Sequence, residues 1–110
     1  MWEEIFNILK LRKNEGVEVR IIYDNLISAS KLPKDFSKQL NQIGILCQPY
    51  YQKNRLIGTL NNHHLHRKVV FIDGKIVFIG EMNIGDEYLN LMEPYGTWQD
   101  VGISLTGNSI

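Results

Sequence analysis

The sequence predicts an α/β fold in which a mixed sheet is flanked by helices and a β-hairpin occupies the second half. Three observations predict it. The first half alternates helical and strand periodicities with short connections, the pattern of a parallel α/β sheet. Asp73-Gly74 stands between two apolar runs, the strongest short-range hairpin signal. The length of 110 residues allows one small domain with one modest core, so 1–110 reads as a single domain.

Each element has a local cause. Trp2, Ile5, Phe6 and Leu9 follow helical spacing, which predicts an amphipathic helix over 2–13 that stops at Asn14-Glu15-Gly16. Val17 to Tyr23 is rich in β-branched residues and reads as a strand ended by Asp24-Asn25. Residues 25–31 read as a loop. Pro33 suits the first turn of a second helix over about 33–43, with Leu32, Phe36, Leu40 and Ile43 as its apolar face and Gly44 as its end. Ile45-Leu46-Cys47 starts a strand that stops at Pro49. Residues 49–62 read as irregular. Past the hairpin, 84–90 reads as a short helix or turn, 92–97 as a polar loop, and Trp98 to Leu105 as a last strand. A chain of this class ordinarily opens on a strand, whereas this one opens on a helix. That predicts a piece of a longer protein.

Composition bounds the function. Twelve basic and twelve acidic residues cancel, and the pI is about 6.8. A nucleic-acid footprint needs a basic excess, so that partner is disfavoured. The lone Cys47 excludes an internal disulfide and, lying in an apolar run, reads as a buried thiol. Trp2-Glu3-Glu4 is acidic where a signal peptide is basic. No apolar run approaches the roughly 20 residues that span a bilayer.

The chemistry gathers at the hairpin. His66 and Lys68 are two residues apart, so on a strand they share one face, roughly 7 Å apart at strand rise. With Asp73 and Gly74 as a two-residue turn, cross-strand partners have numbers summing to 147. Ile72 then faces Lys75, Val70 faces Val77, Lys68 faces Ile79 and His66 faces Glu81, each pair on a common face. Asn83 follows just beyond. A histidine, a lysine and an amide at one strand end have the composition of a phosphate site: a nucleophile or proton carrier, a fixed charge and a neutral donor.

His66-x-Lys68-x4-Asp73, followed by Gly80 and Asn83, resembles the HKD signature of the phospholipase D superfamily. The wider run from Asn62-His63-His64-Leu65-His66 to Ile84-Gly85-Asp86-Glu87-Tyr88 resembles, more narrowly, the first catalytic half of bacterial cardiolipin synthases. Trp98-Gln99-Asp100 is similar to that family's Trp-Arg-Asp segment, Leu105-Thr106-Gly107 to the apolar-x-Gly that closes it, and Gly16 to Asp24 fits upstream. The likeness covers roughly the whole chain, and the ordered set is more specific than any piece.

The resemblance implies a phospholipase D-like half-domain whose hairpin carries the motif. It implies a phosphatidyltransferase that uses a phosphatidylglycerol-like phospholipid and needs no cofactor. His66 would be the nucleophile, with a second imidazole from another HKD half, in the same longer chain or in a homodimer partner, as proton donor. Lys68 and Asn83 would hold the phosphate. Asp73 is a member of the signature, but at strand rise it lies roughly 20 Å from His66, so it reads as a structural turn residue. Asp100 matches the acidic position that orients the imidazole in the resembling families. Glu81 departs from the family's second glycine, and the predicted register sets its carboxylate against the phosphate. His63, His64 and His66 lack the further ligands of a structural zinc site, so no metal is expected. The longer protein would sit at the bacterial cell membrane, with this piece soluble and inactive alone. The competing classes are a nuclease of the same superfamily and an inactive interaction module.

Overall fold

The structure, a computed structural model, describes residues 1–50 and 65–108. In chain order it contains α1 (Trp2–Asn14), β1 (Arg20–Asp24), α2 (Asn25–Ser28), α3 (Phe36–Gln42), β2 (Leu46–Tyr50), β3 (Lys68–Ile72), β4 (Ile76–Gly80), a 3-10 turn (Asp86–Leu89) and β5 (Gly102–Thr106). The chain divides into two compact units. One is Glu4–His66, and the other joins Met1–Glu3 to Arg67–Ile110.

In the Glu4–His66 unit, α1 ends where Gly16 takes a left-handed φ of 91°. The Val17 N–H bonds the Arg12 carbonyl at 3.0 Å and the Gly16 N–H bonds that of Lys13 at 3.1 Å. This paired arrangement satisfies carbonyls that the helix end leaves open. β1 and β2 pair in parallel, from Arg20 with Leu46 to Asp24 with Tyr50. The strand predicted over 17–23 is therefore shorter and begins later. A strand extends only as far as its partner, and the Leu46 N–H reaches the Val19 carbonyl just before the first ladder pair. Residues predicted as a loop after β1 form the short helix α2 instead. The helix predicted from Pro33 starts at Phe36, and Pro33 lies in the preceding turn, its carbonyl accepting from the Phe36 N–H at 3.0 Å.

Val19, Phe36, Leu40, Ile45 and Cys47 are buried, with Ile45 fully so. Tyr23 meets Phe36 edge-on at 5.3 Å between ring centres. Gly44, at φ 81°, turns the chain out of α3. The Asn41 side chain then spans the corner, accepting from the Cys47 N–H at 2.9 Å and donating to the Cys47 carbonyl at 3.1 Å. β2 runs through Pro49 to Tyr50 rather than stopping at Pro49. Proline costs a strand one donor, which an edge position tolerates. The remainder of the stretch read as irregular, with His63 and His64, lies outside the described residues.

In the other unit β3, β4 and β5 form an antiparallel sheet in that order. Among the described residues the strands thus make two sheets, one parallel and one antiparallel, not the single mixed sheet predicted. Within each group a strand pairs with a neighbour near in sequence. The register between β3 and β4 also departs from prediction. Lys68 pairs with Gly80, Val70 with Phe78 and Ile72 with Ile76, so partners sum to 148. Asp73 and Gly74 are both left-handed, at φ 52° and 63°, and the Lys75 N–H bonds the Ile72 carbonyl. The tight turn therefore forms, but Lys75 stays out of the ladder like a bulge residue. Its carbonyl accepts from Gly107 N–H at 3.0 Å.

The last strand is shorter than the predicted 98–105. Gly80 with Gly102 is the final pair with β4, so Trp98 to Val101 lies outside β5. Val77 is buried, while Phe71, Ile103, Leu105 and Val101 are exposed. Among the described residues no helix is long and apolar enough to cross a membrane.

Candidate functional site

The one-residue shift decides what lies beside Lys68. Directly opposed residues share a face, and Lys68, Gly80 and Gly102 form one row across β3, β4 and β5. Two of the three have no side chain, so the lysine stands beside bare backbone at the open end of the hairpin. A Cβ built on Gly80 would lie 3.7 Å from Asp100 Oδ2. Asp100 therefore reaches over the same face that Lys68 occupies. Its other oxygen accepts from the Val101 N–H at 2.8 Å, which holds the carboxylate in one direction although the residue lies outside β5.

Glu81 was expected opposite His66, pointing at the phosphate. The ladder ends at Lys68 with Gly80, so neither His66 nor Glu81 belongs to it. With partners summing to 148, Gly80 and not Ile79 takes the row shared with Lys68. A slip of one residue exchanges faces along a strand, so the register that set Glu81 opposite His66 does not form.

Asn83 lies three residues past Gly80 and is exposed. Its Nδ2 donates to Tyr88 Oη at 2.9 Å. Tyr88 meets Trp98 edge-on, with ring centres 4.6 Å apart at 80°. Trp98 is in turn fixed by Asn90, whose Oδ1 accepts from the Trp98 N–H at 2.6 Å and whose Nδ2 donates to the Trp98 carbonyl at 3.0 Å. Asn90 takes a left-handed φ of 56°, which asparagine tolerates better than most residues. Amide, phenol, indole and amide thus form one connected group behind Asn83. One N–H of the Asn83 carboxamide is committed to Tyr88, and the other remains to serve as a donor.

Asp73 is exposed at the far end of the hairpin, in the turn. Four residues of strand separate it from Lys68, so it does not join the Lys68 and Asp100 group. His66 closes the Glu4–His66 unit, exposed and two residues ahead of β3. The preceding Leu65 N–H donates to Asp24 Oδ2 at 2.9 Å. Periodicity does not find the contacts Asn83–Tyr88, Asn90–Trp98 and Asp24–Leu65. They join residues whose separations fit neither a strand nor a helix face. The short motif that ends at Tyr88 and the Trp-x-Asp segment were the available hints.

An α/β chain with lysine, aspartate and two glycines gathered at a hairpin's open end has the makings of an anion-handling domain. Comparison makes this specific. Residues 2–94 match the family described as cardiolipin synthase, PLD-like domain. An uncharacterized protein of Streptococcus mutans serotype c is 39% identical over 110 residues, covering 100% of this chain and 24% of that protein. The cardiolipin synthase of Oceanobacillus iheyensis is 34% identical over 104 residues, covering 94% and 22%. The major cardiolipin synthase ClsA of Bacillus subtilis is 40% identical over 100 residues, covering 90% and 20%. No solved structure gives a significant match. The chain belongs to the cardiolipin synthase, PLD-like domain family. It spans about a quarter or less of the length of these relatives.

Proposed function

We propose that the full-length protein containing this chain is a phosphatidyltransferase of the cardiolipin synthase kind. It joins two phosphatidylglycerol-like lipids at the bacterial membrane. His66 attacks the phosphodiester phosphorus, a P–N bond forms, and the P–O bond to the leaving glycerol breaks. The acceptor alcohol then attacks phosphorus, and the P–N bond breaks. A second imidazole, from the other HKD half, protonates the leaving oxygen and afterwards deprotonates the acceptor. Lys68 supplies a point charge to the non-bridging oxygens, and Asn83 adds the N–H not bound to Tyr88. Asp100 holds the second nitrogen of His66, fixing its tautomer. Asp73 acts through the turn.

The observation that carries this reading is the row of Lys68, Gly80 and Gly102 with Asp100 on the same face. It offers a cation, room for an oxyanion against backbone, and an acid able to serve an imidazole. The exposed apolar residues of β3, β4 and β5 support a second half packing on this unit, since soluble proteins seldom expose contiguous apolar patches. The chain by itself, with one HKD, is inactive on this reading.

The test is phosphatidyl transfer by the full-length protein carrying His66→Asn. Transfer is expected to be lost while the protein stays folded. Full activity in that variant rejects the catalytic assignment.

A further inference from the structure

We propose that Asp24 is a positioning residue for His66, acting through the peptide that precedes it. The inference rests on the transferase reading above. Asp24 is the last residue of β1 and pairs with Tyr50, the last residue of β2. It therefore stands at the carboxyl end of the parallel pair, where α/β sheets place their functional groups. Its Oδ2 accepts the Leu65 N–H at 2.9 Å, a partly buried bond between residues 41 positions apart. Both partners and His66 lie in the Glu4–His66 unit.

Residues 65–67 lie outside every strand, so no ladder fixes the path of the chain where His66 is attached. A backbone with two soft dihedrals per residue spreads any freedom at Leu65 into the position of the next side chain. A nucleophile that must attack in line with a leaving oxygen loses rate when displaced by an ångström. The carboxylate of Asp24 removes that freedom by a charge-assisted bond to one N–H. The carboxylate comes from the end of a strand whose own position is set by its five-residue ladder with β2 and by the edge-on contact of neighbouring Tyr23 with Phe36. The sequence signal is small: one aspartate after a β-branched run, which by itself reads as a strand end.

The test uses the full-length protein with Asp24→Ala, Asp24→Asn and His66→Asn. It measures kcat and KM for phosphatidyl transfer, thermal unfolding, and amide hydrogen exchange of the peptide carrying Leu65. Asp24→Ala is expected to lower kcat by about 10- to 100-fold with KM changed less than about threefold, and to speed exchange at Leu65. Asp24→Asn keeps an oxygen acceptor for the same N–H and is expected to restore kcat to within about threefold of wild type and to restore slow exchange. The inference is overturned if Asp24→Ala keeps kcat, if Asn and Ala variants are equally impaired, or if Leu65 exchange is unchanged by Asp24→Ala. Loss of transfer in His66→Asn alongside any of those results leaves the transferase reading standing and removes only the role of Asp24. Full transfer in His66→Asn removes both.

Discussion

Removing the Tyr88 hydroxyl isolates one bond in the group behind Asn83. Tyr88→Phe keeps the ring and its edge-on contact with Trp98 at 4.6 Å but deletes the partner of Asn83 Nδ2 at 2.9 Å. A neutral hydrogen bond contributes about 0.5–1.5 kcal/mol net. Asn83 is exposed, so water replaces part of the loss, and about 0.5–1 kcal/mol is expected. At 1.36 kcal/mol per tenfold in rate, that is about two- to fivefold in kcat/KM. Tyr88→Ala also loses the ring pair, worth about 0.5–1.5 kcal/mol more, and should fall by about 5- to 70-fold. The assay is a double-mutant cycle in the full-length protein, with kcat/KM measured for wild type, Tyr88→Phe, Asn83→Ala and the double variant. If Tyr88 works by holding Asn83, the double variant is no slower than Asn83→Ala, and the coupling equals the whole Tyr88→Phe effect. Additive losses, or no loss in Tyr88→Phe, refute the reasoning.

Three further outcomes follow from the packing. Ile45 is fully buried, so Ile45→Ala should cost about 2–5 kcal/mol in denaturant unfolding of the full-length protein. Burial pushes the Cys47 thiol above its ordinary value of 9.0, so the native thiol should react slowly with iodoacetamide at pH 8 and readily after unfolding. The sign of its pH linkage follows. The fold's preference for the neutral thiol is fully expressed below the unfolded pKa and is lost as pH rises through the higher folded value. A native thiol that reacts as fast as the unfolded one contradicts that burial. Gly80→Ala places its methyl 3.7 Å from Asp100 Oδ2, an ordinary contact. The fold should hold while the methyl crowds the row beside Lys68. Weaker inhibition by inorganic phosphate is expected, and unchanged inhibition would place the anion elsewhere.

Local chemistry was legible wherever one short stretch sufficed. Gly16 ends α1 because the helix needs a left-handed residue there, and Asp73-Gly74 makes the tight turn for the same reason. The parallel pairing of β1 with β2 followed from helix and strand alternation. The register did not follow. A turn of given sequence admits ladders with and without a bulge, and here Lys75 is left out, its carbonyl accepting from the N–H of Gly107 just past β5. That choice set Gly80 rather than Ile79 opposite Lys68.

The sequence by itself determined the family, the order of most elements and the residue types of an anion site. These are carried by ordered motifs and by periods of two and 3.6 residues. Only the tertiary structure decided that the strands among the described residues form two sheets, that Asp100 reaches the face of Lys68 across Gly80, and that Tyr88 and Asp24 engage Asn83 and the neighbour of His66. The physical reason is that such contacts depend on where two separate backbones come to rest. Steric and hydrogen-bonding rules along one stretch of chain do not contain that information.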